Sequence, residues 1–398
     1  MALVNVIGLG YIGLPTALML ASHGVQVVGT DYNAGLVETL HQGRTTFSED
    51  GLDELFARAV ASGIRFSTEY QSTDVYIVSV PTPYDGESKK IEPCYVISAV
   101  ERILTICPDN AVIVIESTVS PGTIDRFVRP LCEGRKVELV HAPERIIPGN
   151  MLFELEHNSR TIGADKAEVG EKIREIYASF CMGEIVVTDI KTAEMTKVIE
   201  NTYRAVNIAF ANELAKLCYY ENMDVNEIRR ICNMHPRVNI LAPGPGVGGH
   251  CIPVDPWFLV GDYPEHTPLI AKSMVINEEM PDFIFERICK IMEEKGITDF
   301  SRVGLYGLTY KEDVDDVRES PALQLLERHP APFGVYDPMV ERELVKGQYM
   351  SFETFLENTD LLVLMVGHSH IRDNRGMLEG KWIFDTRNVL TEISTYKL

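Results

Sequence analysis

From residue 3 to about residue 188, short runs of β-branched and aliphatic residues alternate with stretches whose apolar positions recur at helical spacing. The runs occupy residues 4–7, 25–29, 75–80, 111–115, 137–140 and 185–187. Continuous apolar strands separated by amphipathic helices predict an α/β fold, a doubly wound parallel sheet with helices on both faces. Beyond Asp189 the period changes: residues 192–220 read as one long helix, with more helix to about Arg230, and residues 266–295 are helical again. Between them, residues 235–257 (HPRVNILAPGPGVGGHCIPVDPW) carry too many prolines and glycines for regular structure and read as a long functional loop. A second alternation follows, with strands at 303–306, 333–336, 361–366 and 382–384 and helices at 322–328 and 352–357. The expected organisation is an α/β domain over residues 1–188, a helical middle domain with its loop over 189–298, and a second α/β domain over 299–398.

The first strand runs into Gly8-Leu9-Gly10-Tyr11-Ile12-Gly13, a GxGxxG, then a helix to His23, a helix-stopping Gly24 and a second strand that ends at Asp31. Strand, glycines, helix, strand and acid in that order predict dinucleotide binding, with pyrophosphate at the helix N-terminus and Asp31 on the adenosine ribose. Asp31 would repel a 2′-phosphate, so the expected cofactor is NAD. Three more strands end in Val80-Pro81-Thr82-Pro83, Glu116-Ser117-Thr118 and His141-Ala142-Pro143-Glu144-Arg145, at the carboxyl edge where such sheets bind ligands. The plain alternatives are that Thr82 and Thr118 cap the next helices, and that Glu144 is a solvated carboxylate or a partner of Arg145.

On the long helix Lys197 and Asn201 are four residues apart and share a face, with Arg204 next along it. A cation and an amide so placed could stabilise an oxyanion, or could belong to a solvated stripe. Cys251, in Gly246-Val247-Gly248-Gly249-His250-Cys251, is flanked by glycines that let a substrate approach, and is the expected nucleophile among eight cysteines. The other seven read as small buried apolar residues. Asp255 is a like charge to a thiolate, which suits it to act as a base or water anchor. Residues 310–320 set Lys311 and Arg318 among five acids, either a salt-bridged surface loop or phosphate clamps, and Arg387 after the last strand is a third candidate cation.

Lys plus Arg total 37 against 58 Asp plus Glu, a net charge of 37 − 58 = −21, which disfavours a sequence-independent grip on nucleic acid. An anionic ligand must therefore meet a local cationic patch. No run of about 18 apolar residues is present to span a membrane, and the N-terminus reads as a strand, not a secretory signal. Scattered cysteines without CxxC or zinc spacing predict a cytoplasmic protein without structural disulfides or metal.

In order, GLGYIG, ESTVSPGT, APERIIPG, AEMTKVIENTYRAVNIAFANEL, GPGVGGHC with Asp255, and YKEDVDDVRESPAL resemble the UDP-glucose/GDP-mannose dehydrogenase family over nearly the whole chain. The resemblance implies two Rossmann-like domains joined by a long central helix, NAD on the first, a UDP-sugar toward the second, and a homodimer built around the helix. It implies oxidation of a sugar C6 alcohol to a carboxylate with two NAD, through a thiohemiacetal and a thioester on Cys251. By motif, Lys197 and Asn201 would stabilise the oxyanion, Asp255 with Thr118 would position water, and Glu144 would be the hydrolytic base. Gly8, Gly10, Tyr11, Ile12, Gly13, Asp31, Thr82, Thr118 and Arg318 would contact cofactor. Members with UDP-glucose as substrate have Ser before the cysteine and Lys before the aspartate, where this chain has His250 and Val254. By motif Tyr310, Lys311 and Arg387 match the family's substrate positions, and the runs PERIIPGNMLFEL and HPRVNILAPGPGVGGHC look most like members that oxidise UDP-N-acetyl-D-mannosamine, which adds Arg145, Ile146, Arg204, His235, Arg237 and Gly248 as substrate contacts. The gluco epimer, or a sensor that binds without chemistry, are the alternatives.

Overall fold

The computed structural model describes residues 3–147, 149–393 and 395–398, and the chain forms two compact units, Met1–Glu200 and Asn201–Leu398. The α/β architecture expected from the apolar pattern is present in both. In the first unit the described strands are β1 (Leu3–Ile7), β2 (Gln26–Thr30), β3 (Arg65–Ser67), β4 (Val75–Val78), β5 (Ala111–Ile115), β6 (Val137–His141), β7 (Arg160–Ala164) and β8 (Ile185–Thr188). They form one sheet in the order β3-β2-β1-β4-β5-β6-β7-β8. Two of them break the expected pattern. β3 is three residues long and half-exposed, too short for a periodic signal. β7 is buried along its whole length yet begins Arg-Thr, so no apolar run announces it, and it pairs antiparallel with β6 in an otherwise parallel sheet.

The second unit holds β9 (Val303–Tyr306), β10 (Gly334–Tyr336), β11 (Leu361–Leu364), β12 (Trp382–Asp385) and β13 (Tyr396–Lys397), all parallel, in the order β10-β9-β11-β12-β13. Each unit has its own apolar core, and buried Val, Ile and Leu from the central strands of each sheet anchor it.

The unit boundary falls inside the 31-residue helix Ile190–Tyr220. Asn222, at φ +53, ends the chain's helical run, and Asp224 caps the next helix, Val225–Cys232, by accepting from the N–H groups of Asn226 and Glu227. The long loop closes at Val254, three residues earlier than the sequence suggested, because Pro256 sits where a helix start tolerates proline and the helix Asp255–Asp262 begins there. The helical stretch expected over 266–295 is two helices, Pro268–Glu278 and Met280–Lys295, with Pro281 at the start of the second.

The two sheets repeat one local device. Gly8 (φ +88) donates its N–H to Thr30 O at 2.8 Å, and Gly307 (φ +100) donates to Tyr336 O at the same distance. The acid after the second strand then accepts from the next residue's N–H: Leu9 to Asp31 at 2.8 Å, Leu308 to Asp337 at 2.5 Å. In the first unit no other side chain among the described residues bonds the acid. In the second, the fully buried imidazole of His368 lies 3.3 Å from Asp337 Oδ2. Burial pushes the Asp337 carboxyl up, but His368 and the backbone donors outweigh it and hold the group below the ordinary range.

Candidate active site

Strand order reverses between β1 and β4, which opens a crevice at their carboxyl ends. The three motif glycines there do different work. A Cβ on Gly13 would collide with the Gly8 carbonyl, and one on Gly8 with the Ser79 carbonyl, so both are required by backbone packing. A Cβ on Gly10 would meet nothing within 4 Å: that glycine faces open space, as a site for close approach of pyrophosphate must. The helix Gly13–Ser22 starts at Ile12 with no side-chain cap and no acid in its first turn; Leu14 N–H bonds Gly10 O at 3.1 Å and Pro15 has none, so the N–H groups of Ile12 and Gly13 are the ones left for an anion. Tyr11 packs against Phe47 at the edge of the turn, ring centroids 4.4 Å apart and planes tilted by 31°. Asp31 spends one lone pair of each oxygen on Leu9 and Asn33 N–H groups, which fixes the carboxylate and leaves acceptor capacity for ribose hydroxyls. These residues fit NAD.

Thr82 and Thr118 are half-buried, and neither caps a helix: the helix Cys94–Ile106 has Pro93 at its cap and the turn Ile124–Val128 has Thr123. The plain alternative for both is thereby removed. Glu144 is neither solvated nor bound to the Arg145 side chain. It is buried, pairs with the Arg160 guanidinium, and accepts the Arg145 backbone N–H at 2.5 Å. Arg145 itself is a correction to expectation. Its guanidinium bonds Glu200, the Ser159 carbonyl and hydroxyl, and the Thr161 hydroxyl, which occupies its five N–H groups, so only its main chain is left for a substrate. The Ile146 side chain likewise packs into the first unit's core.

Lys197 is 6% exposed and has no hydrogen-bond or ion-pair partner among the described residues. A buried ammonium without a counter-charge is costly, so this position is not the solvated stripe that the sequence allowed. His141 is sealed nearby. Burial lowers its pKa to about 3, the Lys197 charge adding to that, so the imidazole is neutral and bonds Ile115 O at 2.9 Å. One turn after Lys197, Asn201 is also buried and donates Nδ2 to Asp255 Oδ2 at 2.6 Å. Arg204, the next residue of the expected stripe, is exposed.

Asp255 opens its helix, and its N–H bonds the Cys251 carbonyl at 2.8 Å, so cysteine, acid and amide are tied together within the second unit. Cys251 is half-exposed, as a nucleophile must be. Among the other cysteines, 107, 181 and 218 are buried, but Cys94 is exposed, contrary to the apolar reading. The glycines before Cys251 also need correcting: Gly248 and Gly249 make room for protein. A Cβ on Gly248 would lie 2.6 Å from Tyr310 Cβ and from the Glu319 carbonyl, one on Gly249 2.9 Å from the Tyr310 ring, and Gly249 N–H bonds Arg318 O. The Cys251 loop is thus laid on the 310–320 loop. There Asp316 grips Arg318 with both oxygens, at 2.8 and 2.5 Å, and meets His250 at 3.3 Å, so acids do orient this cation. Lys311 and Tyr310 are half-buried, Arg387 lies against Gly244, and His235 and Arg237 are exposed.

A dinucleotide crevice in the first unit, and in the second a half-exposed cysteine beside an amide-held carboxylate, mark the chain as an NAD-dependent oxidoreductase with a candidate nucleophile. Three models of the UDP-glucose/GDP-mannose dehydrogenase family match in order: the NAD binding domain over residues 2–181, the central domain over 191–279 and the UDP binding domain over 304–392. The chain belongs to that family and acts on a UDP-sugar. It is 40% identical over 403 residues to a UDP-N-acetyl-D-mannosamine dehydrogenase of Methanococcus aeolicus, covering 97% of this chain and 91% of that protein. Among solved structures it is similar to the UDP-N-acetyl-mannosamine dehydrogenase of Staphylococcus aureus (38% identity, TM-score 0.89) and to the UDP-D-ManNAc dehydrogenase of Pyrococcus horikoshii (34%, TM-score 0.91), each alignment covering 99% of this chain and 98% of the other.

Arg160, Tyr177 and the depth of Glu116 leave little mark in the sequence. The one signal was an arginine entering an apolar strand, and a lone charge there reads as an edge position until burial is known.

Proposed function

We propose that the protein oxidises UDP-N-acetyl-D-mannosamine at C6 to UDP-N-acetyl-D-mannosaminuronate, with two NAD consumed per sugar. The observation that carries the chemistry is the buried Lys197, without a counter-charge among the described residues, one turn from the Asn201–Asp255 hydrogen bond. NAD, when bound, accepts the hydride released from C6 in each of the two oxidations. The Cys251 thiolate adds to the C6 aldehyde, and the resulting alkoxide takes donors from the Lys197 ammonium and the free N–H of Asn201. Loss of the second hydride from C6 collapses the thiohemiacetal to a thioester. Water held by Asp255 and Thr118 gives a proton to Glu144 and adds to the carbonyl, the C–S bond breaks, and Cys251 leaves as thiolate. A sensor needs no nucleophile, and the retention of Cys251, Lys197, Asn201 and Asp255 together argues against it.

The substrate rests on the relatives named for the manno sugar, and the gluco epimer is the competing reading. The test is the NADH yield from limiting UDP-N-acetyl-D-mannosamine with excess NAD, run beside UDP-N-acetyl-D-glucosamine and UDP-glucose. Two NADH per manno sugar and little from the others is expected. A yield of one refutes the thioester route, and two from the gluco epimer alone refutes the substrate.

The helix Ile190–Tyr220 exposes Ile199, Tyr203, Phe210, Leu217 and Tyr220, an apolar stripe at helical spacing along its length. Such a stripe suits burial against a second copy, which supports a homodimer through this helix. The exposed His235 and Arg237 are then free to serve the partner's substrate.

A further inference from the structure

Glu144 stands at one end of a sealed row of three charges whose other members the proposed steps do not use. Arg160, on β7, reaches Glu144 with Nη2 and Glu116, at the end of β5, with Nη1 at 3.4 Å. Its side chain is 4% exposed, that of Glu144 6% and that of Glu116 0%. The guanidinium lies over the Tyr177 ring, 4.2 Å from its centroid, with Phe180 at 5.7 Å. Glu116 accepts from the Tyr177 hydroxyl at 3.0 Å and from Ser79 at 2.5 Å, with Thr16 at 3.5 Å. The titratable groups around Glu144 are therefore Arg160, Glu116 and Tyr177, with Cys181 acting on Arg160 from beyond.

A buried one-to-one pair with arginine would hold Glu144 so firmly as an anion that it would accept a proton poorly. Here the guanidinium is shared with a second carboxyl. We propose that Arg160 and Glu116 are positioning residues for the hydrolytic step: Arg160 aims Glu144, and Glu116, by sharing the guanidinium and adding its own negative field, keeps Glu144 basic enough to take the proton of water. The inference rests on the reading of Glu144 as that base. Burial pushes the Glu116 carboxyl upward against the pull of Arg160, and the neighbouring Glu144 carboxylate adds to that rise. Ser79 and Thr16 belong to the segments that pack around the nucleotide-binding turn, so the row also ties the base to the cofactor crevice.

The experiment measures acid formation from the UDP-sugar as a function of pH. Glu116→Gln removes the competing carboxylate, so the acidic limb moves to lower pH by about one unit and the plateau kcat falls by roughly tenfold, with KM little changed. Arg160→Gln removes the cation, so the limb moves the other way. Opposite shifts are the signature, since a merely structural role lowers the folded fraction without moving a limb. Arg160→Lys, which keeps the charge but not the fork, retains the wild-type limb at a reduced kcat and serves if Arg160→Gln does not fold. An unmoved limb in Glu116→Gln overturns the proposal. Glu144→Gln separates the two failures: full activity there defeats the base itself, whereas loss of acid formation beside an unmoved Glu116→Gln limb defeats only the positioning role.

Discussion

The contrast between Gly10 and Gly13 gives a test of the cofactor crevice that needs no turnover. Alanine at Gly10 places its methyl in open space at an ordinary φ, so the folded chain loses nothing and the unfolded chain loses freedom. The expected change in stability without ligand is between none and a gain of about 1 kcal/mol. The same methyl stands where pyrophosphate must approach, and a tenfold loss of affinity, about 1.4 kcal/mol, is the minimum expected. Alanine at Gly13 drives its methyl into the Gly8 carbonyl, an overpacking that costs about 1–3 kcal/mol in the apoprotein. Melting with and without NAD separates the cases. At a hundredfold excess over Kd, NAD contributes about 2.7 kcal/mol, a rise of roughly 5–10 °C for a unit of this size. Gly10→Ala should melt like wild type alone and lose half or more of the NAD shift, whereas Gly13→Ala should melt early in both conditions. A full NAD shift in Gly10→Ala would refute the assignment of the open glycine to the pyrophosphate.

Cys251→Ala should bind NAD and UDP-sugar yet form no acid, and full acid formation by product assay would sink the covalent route. Asn201→Ala removes one charge-assisted donor from the buried Asp255 carboxylate, so the second unit should lose about 1–3 kcal/mol in denaturant titration, and an unchanged midpoint would contradict that contact. Burial raises the Glu194 carboxyl to about 7, although the Gly122 and Ile124 N–H groups at 2.5 and 2.9 Å pull it down. A folded pKa above the unfolded one means the native state binds the extra proton. The contribution, on the order of 3 kcal/mol, is complete at low pH and declines as pH rises from the usual carboxyl range to about 7. Glu194→Gln should abolish that slope in melting curves taken across the window. Tyr203→Glu on the exposed stripe should yield a monomer by light scattering, and a dimer that survives it lies elsewhere.

The long strands, the GxGxxG turn and the acid after β2 were readable because each is a local pattern with one physical cause. What escaped was set by distance in space. β7 joins the sheet through a strand that begins with arginine, and only the finding that this arginine is sealed between Glu116 and Glu144 explains why it is there. For Lys197 the helical spacing defined a face without deciding whether that face meets water, since burial without a counter-charge is a tertiary property. Arg145 misled because an arginine beside a candidate base looks like an anion clamp, whereas Glu200, far along the chain, had already claimed it. Gly248 and Gly249 misled for the same reason, since a glycine records that something comes close and not whether it is ligand or protein.

His368 stands against Asp337 where, in the first sheet, Asp31 keeps acceptor capacity to spare. Among the described residues the repeated device is thus open at Asp31 and engaged by a buried imidazole at Asp337, which points to the first sheet as the dinucleotide berth. An oxidation that draws two NAD through one berth must discharge the first reduced nicotinamide and admit a fresh one while the half-oxidised sugar waits. In the proposed reaction a bond to Cys251 would hold the sugar in place during that exchange, so a single berth supplies a reason for covalent custody that the aldehyde's reactivity alone does not.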